Sequence, residues 1–245
     1  MAAQRGGPQR ARGRELVRHA AMLPLMGLAT MLGARGRDQA PRRDDGRNPV
    51  VFVHGYGGSR GDFLPMAARL RLAGHTRIYR LGFPSRGSTR ARAQELARRV
   101  AQIRAESDAP RVDLVAHSMG GLIARLAIHE HGLDDAVGTL ITLGTPHLGT
   151  EMLPRLNLGV LRELRQDSAL LTALTRHEWP AQIRGVSFWS AVDLFVVPGE
   201  AALHPAFEAV DASPLNHYSY LLDPRVWSAV RRVLAGERVT TVARP

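Results

Sequence analysis

The sequence predicts an α/β protein with a mostly parallel central sheet and helices on both faces, on three observations. Short strand-like runs at 49–53, 111–116 and 139–143, the first continuously apolar, alternate with stretches whose apolar residues recur at helical spacing. Each of these runs ends in a glycine-bearing loop, as expected where a buried strand hands over to a crossover helix. With 245 residues, 44% of them hydrophobic, the chain can bury one substantial core but hardly two catalytic domains.

The first 48 residues read as a basic leader and linker, and the folded body is expected over 49–245. Residues 1–47 hold 10 arginines against 4 acids, more than half of the net charge of +11. Residues 20–34 form an uncharged run. As a helix at ~1.5 Å per residue it would span about 22 Å, short of the ~30 Å hydrocarbon core. Pro24 interrupts it. A basic stretch before a short apolar one has the shape of an export signal or membrane anchor. Leu32-Gly33-Ala34 makes a poor cleavage site, because a large residue stands where a small one is wanted. The expectation is export or membrane association, against an amphipathic helix packed on the domain and a cytoplasmic location.

In the body, Pro49–Val53 is a strand entering His54-Gly55-Tyr56-Gly57-Gly58. Residues 62–73 place Phe63, Met66, Ala67 and Leu70 at helical spacing, and Gly74 stops the helix. Arg77–Phe83 is a second strand closed by Pro84, and 88–106 an arginine-rich helix with Leu96, Val100 and Ile103 inward. Arg111–Ala116 is a strand running into His117-Ser118-Met119-Gly120-Gly121, followed by a helix over Leu122–His129. Thr139–Leu143 is a strand ending in Gly144-Thr145-Pro146-His147-Leu148-Gly149.

Composition removes much chemistry. There is no cysteine, hence no disulfide framework and no thiolate nucleophile or ligand. All 33 basic residues are arginine, so Schiff bases, Ser-Lys dyads and P-loop lysines are excluded. No helix-turn-helix or aromatic-interleaved basic pattern accompanies the charge, and no nucleic-acid partner is expected. No H-E-x-x-H occurs; His129-x-His131 is read as a pair of surface histidines, and neither metal nor cofactor is expected.

A strand, a tight turn centred on Ser118 and an immediate helix describe a nucleophile elbow. The turn requires small residues two before and two after the serine, and these are Ala116 and Gly120. The helix N-terminus favours negative charge developing beside the hydroxyl. The loop after the first strand supplies the matching half: the N–H groups of Tyr56 and Met119 are expected to converge on one carbonyl oxygen, as an oxyanion hole. His54 is read as ordering that loop.

VFVHGYGGS (51–59), AHSMGG (116–121) and LGTPHLGT (143–150) together resemble the α/β-hydrolase lipases and esterases. The likeness is to bacterial lipases with the A-H-S-M-G-G elbow and to the triacylglycerol-lipase and inositol-deacylase-like groups, over roughly 49–235. It implies an α/β-hydrolase fold, Ser118 as nucleophile and Tyr56 and Met119 as oxyanion donors. The family order of serine, acid, then histidine says where to search for the rest. Val186–Trp189 is a strand with Asp193 beyond it, and Phe207–Val210 a last strand with His217 beyond it, just before a helix over Pro224–Leu234. Asp193 and His217 are therefore the expected acid and base, with Asp211 and Glu200 rival acids and His204 a rival base. His147 is read as ordering its loop.

The implied activity is serine-dependent hydrolysis of carboxylic esters through an acyl-enzyme, with an acyl ester or lipid as substrate. An acyltransferase or thioesterase using the same residues is the alternative, followed by a non-catalytic binding module on this scaffold. Residues 150–183 are rich in leucine and read equally as a helical lid over an acyl cleft or as core-packed helices.

Overall fold

The computed structural model describes residues 44–83, 87–152 and 159–242, together with Pro24, Gly27 and Met31, which are helical. Apart from those three, the predicted apolar run 20–34 lies outside the described residues, as do most of the linker, Pro84 and 153–158. Among the described residues no helix is long and apolar enough to cross a membrane.

Six strands form one sheet: β1 (Val50–Val53), β2 (Ile78–Arg80), β3 (Val112–His117), β4 (Val137–Leu143), β5 (Arg184–Trp189) and β6 (Glu208–Asp211). Their order is β2-β1-β3-β4-β5-β6, and every pairing is parallel. The helices packed on it are α1 (Leu64–Leu72), α2 (Thr89–Ser107), α3 (Met119–His131), α4 (Ala169–Thr175), α5 (Ser219–Leu222) and α6 (Pro224–Leu234).

The continuous apolar runs are explained by two cores, one on each side of the sheet. Side chains alternate along a strand, so Val51, Val53, Leu114, Ala116 and Leu140 pack on one face with Leu96, Val100 and Ile103 of α2 and Leu122 and Leu126 of α3. Val50, Phe52, Val115, Ile141 and Leu143 face the other way, onto Met66 and Leu70 of α1 and Val226 and Val230 of α6. Leu170, Leu171 and Leu174 of α4 join the first core, so this part of the leucine-rich segment is core-packed helix. Helix starts are chemically marked: Ser88 caps α2 by accepting the Ala91 N–H at 3.1 Å, and Asp223 caps α6, with Pro224 in its first turn.

The second strand is shorter than the predicted Arg77–Phe83. After Leu81 donates its N–H to the Phe52 carbonyl, the chain leaves the sheet and the Phe83 N–H turns to the ring nitrogen Nε2 of His54. Gly82 lies under the Arg60 guanidinium, and a side chain there would collide with it. The helix after the elbow starts earlier than predicted, at Met119.

In a parallel sheet all the carboxyl ends share one edge. The loops after β1, β3, β4, β5 and β6 therefore emerge together, and the chain switches direction between β1 and β3, where ligands of open α/β sheets bind.

Candidate active site

Ser118 follows β3 with φ 56° and ψ −131°, a backbone conformation that non-glycine residues rarely adopt. Such strain costs about 1–3 kcal/mol and persists only where the surroundings enforce it. Here they do. The Ser118 N–H donates to the Leu143 carbonyl at 2.9 Å, continuing the β3–β4 ladder, and its carbonyl accepts from Gly121 N–H at 3.1 Å. The glycines are required by close approach: a Cβ on Gly120 would lie 2.3 Å from the Val53 carbonyl oxygen, and one on Gly55 2.9 Å from Ser118 Cβ. Although Ser118 directly precedes α3, its hydroxyl makes no helix-capping bond.

The β1 loop lies against this turn. A Cβ on Gly55 would stand 3.4 Å from the Met119 nitrogen, which brings the start of this loop beside the first amide of α3. His54 orders the loop, as expected: Nδ1–H donates to the Gly55 carbonyl at 2.9 Å, and Nε2 accepts the Phe83 N–H at 3.3 Å. Burial holds this imidazole below its ordinary pKa, in keeping with a neutral ring that donates at one nitrogen and accepts at the other.

Asp193 and His217, 24 residues apart in sequence, meet. His217 Nδ1–H faces both carboxylate oxygens, at 3.1 Å from Oδ1 and 3.0 Å from Oδ2. Oδ1 also accepts the N–H groups of Phe195 at 2.8 Å and Val196 at 3.0 Å. Burial pushes the Asp193 carboxyl up, but the adjacent His217 and these amides outweigh it and leave the group below the usual carboxylate value. The His217 ring is buried between His117, with centroids 4.7 Å apart, and Phe195, at 5.0 Å. Gly144, at φ 54°, packs on the pair: a Cβ there would be 3.0 Å from Asp193 Oδ2 and 3.2 Å from His217 Nδ1.

Ser118 and His217 line the same cleft of about 630 Å³, with Tyr56 at its mouth and Met152, Leu161, Leu164, Phe195 and Val196 among its walls. The Thr89 hydroxyl at the start of α2 bonds the Glu163 carboxylate, tying the 159–164 turn over this region. The rivals stand elsewhere. His204 packs on Phe207, with centroids 4.3 Å apart, and its Nδ1 accepts Ala206 N–H; Asp211 accepts Ser213 N–H; Glu200 is exposed.

His147 orders its loop from a fully enclosed position, with Nε2 3.1 Å from the Thr142 hydroxyl and Nδ1 3.4 Å from the buried Arg125 guanidinium. The reading of His129 as a surface residue is corrected. Its ring is half-buried, stacked on His177 at 4.9 Å and edge-on to Trp179, and burial lowers its pKa to about 4. Among the described residues no group of three or more histidines and acids is arranged to hold a metal. Two contributors had no role in the sequence reading: His117, which contacts the His217 main chain, and Thr145, which contacts the Ser118 main chain. Both sit in motifs that were legible, but their partners are distant in sequence.

A model of the alpha/beta hydrolase family matches residues 50–243. The chain belongs to this family. The match takes in all six strands of this alpha/beta hydrolase and every residue of the site. It is 30% identical over 146 residues to a triacylglycerol lipase of Burkholderia plantarii, and this stretch is 54% of the chain and 39% of that relative. It is 30% identical over 118 residues to a triacylglycerol lipase of Pseudarthrobacter phenanthrenivorans, covering 43% of the chain and 35% of the relative. The chain thus matches little more than a third of the length of either. Among solved structures, the mature form of a Bacillus licheniformis lipase superposes with a TM-score of 0.69 at 18% identity, over 80% of this chain and 96% of the other.

Proposed function

We propose that this alpha/beta hydrolase cleaves carboxylic esters of lipophilic acids, with Ser118 as nucleophile, His217 as base and Asp193 as the carboxylate that holds the base. The observation that carries the reading is the Asp193–His217 pair. With Nδ1–H committed to the carboxylate, the imidazole keeps Nε2 as the basic nitrogen, and His217 shares a cleft with a serine whose hydroxyl no helix cap consumes.

In this mechanism Nε2 takes the Ser118 proton as Oγ attacks the ester carbonyl. The Tyr56 and Met119 N–H groups receive the oxyanion, at the N-terminus of α3. The alcohol leaves with the proton from His217, and water, deprotonated by the same imidazole, hydrolyses the acyl-enzyme. Apolar walls at Leu161, Leu164, Phe195 and Val196 favour a hydrocarbon acyl chain, and the names of the two sequence relatives point to the same substrate class. The basic, apolar leader supports export or attachment to a membrane surface.

A fluorophosphonate probe with peptide mapping tests the reading. The expected result is one adduct, on Ser118, absent from Ser118→Ala, together with hydrolysis of p-nitrophenyl esters. No adduct on folded protein, with detergent present, overturns it.

A further inference from the structure

We propose that His117 is a positioning residue for the reaction: its ring N–H holds the main-chain carbonyl of His217 and so fixes the loop carrying the base onto the strand carrying the nucleophile. The inference rests on the proposed roles of Ser118 and His217.

His117 ends β3, immediately before Ser118. Alternation along the strand puts Ala116 into the core beneath α2 and α3, while Val115 points to the opposite face, where Ala212, Leu215 and Tyr220 lie. His117 shares the parity of Val115 and so projects beneath the loop that follows β6. There its Nε2 stands 3.0 Å from the carbonyl oxygen of His217, a residue 100 positions away. A carbonyl only accepts, so Nε2 carries the proton and Nδ1 is bare.

The neighbourhood keeps it so. His117 is buried, its ring packs 4.7 Å from that of His217 and 6.1 Å from that of Tyr218, and burial, with His217 close by, drives its pKa down to about 3. A neutral ring is what this position requires, because the imidazolium that forms on His217 during the reaction would be repelled by a second cation at contact distance.

The contact does what the Asp193 bond alone does not. Asp193 fixes one edge of the His217 imidazole, and that contact does not hold the main chain of the residue. Anchoring the main chain of the same residue to β3 sets the distance between Nε2 and the serine next to His117. A displacement of about 1 Å in such a pair costs about 100-fold in rate.

Two amide variants separate this role from simple core packing. In Gln the side-chain nitrogen falls where histidine has Nε2, and in Asn where it has Nδ1. His117→Gln therefore retains the bond and His117→Asn loses it, with similar polarity and burial. For each, competent sites are counted by fluorophosphonate titration, and kcat and KM per titrated site are measured on a short-chain p-nitrophenyl ester. The expected result is that H117N loses about 10- to 100-fold in kcat at nearly unchanged KM, while H117Q stays within about 5-fold of the parent. Equal kcat per titrated site in the two variants overturns the proposal, as does a fall that only mirrors fewer titratable sites. Failure of the unsubstituted protein to label at Ser118 is visible without either variant and overturns instead the catalytic reading beneath it.

Discussion

The hydroxyl of Thr145 donates a 2.8 Å hydrogen bond to the main-chain carbonyl of Ser118. Its side chain also fills the space that Gly121 leaves open, since a Cβ on that glycine would come within 2.2 Å of the Thr145 hydroxyl. The strained turn is thus clamped from the β4 loop, and the L-G-T-P-H-L-G motif gains a physical role. Thr145→Val keeps the shape and removes the donor. The expected outcome is a loss of about 1 kcal/mol in stability, read by urea unfolding, and a several-fold fall in kcat as Ser118 gains freedom.

Replacing the Asp193 carboxylate tests what it does for His217. Asp193→Asn preserves volume but offers an amide N–H₂ to Nδ1 as readily as a carbonyl, and so favours the tautomer with the proton on the wrong nitrogen. On the proposed mechanism kcat falls by about 10³- to 10⁴-fold with the fold intact. Circular dichroism beside steady-state kinetics checks both halves.

Gly144 is a site where a single methyl group is expected to be costly. Its φ of 54° strains any L side chain, and a Cβ would meet Tyr220 Cε2 at 2.7 Å as well as both members of the Asp193–His217 pair. Gly144→Ala is expected to lose at least about 1 kcal/mol from the backbone alone. Contact with the pair adds an activity loss beyond 10-fold. A Tm close to the parent's with full activity would show that the loop moves aside without consequence.

Acid should destabilise the protein through its buried histidines. Burial lowers the pKa of His117 and His204 to about 3 and of His129 to about 4. His147 is also held well below its ordinary value by burial, with Arg125 and His204 adding to it. The unfolded chain protonates these rings near pH 6.5, whereas the folded chain keeps them neutral, so below that pH the unfolded state binds more protons. Stability is then complete above about 6.5 and falls as the pH drops, until about 4, where His129 protonates in the folded chain too, and about 3, where His117 and His204 do. The two fully enclosed rings, His117 and His147, each contribute a slope of up to about 1.4 kcal/mol per pH unit, and solvent screening leaves the half-buried His129 and His204 with less. Urea midpoints between pH 7.5 and 4.5 should decline steadily, and His147→Gln should flatten the decline.

Much of the architecture was legible because a strand buried on both faces has few alternatives. Val50–Val53 announces itself as an apolar run and Val112–His117 as a mostly apolar one broken by Asp113, and the α6 boundaries, Pro224–Leu234, follow from a proline start and an amphipathic period. The elbow was legible for a related reason: Gly120 and Gly121 are small because the Val53 main chain at the end of β1 and the Thr145 side chain in the loop after β4 press on them. The second strand was overread, since nothing local says that Phe83 N–H will prefer His54 to a neighbouring strand. His129 was misread for the same reason, because its cover, His177 and Trp179, arrives from a segment nearly fifty residues away.

The sequence by itself determined the class of fold and the tight turn around Ser118, because hydrophobic period and the size limits of such a turn are local properties, while the order of serine, acid and histidine was implied by its resemblance to the α/β-hydrolases. Only the tertiary structure decided which acid and which histidine pair, that His117 reaches the His217 carbonyl and Thr145 the Ser118 carbonyl, and which walls the cleft has. Those contacts join loops from different strands, and their partners are chosen by how the strands order in the sheet, which no single stretch of sequence encodes.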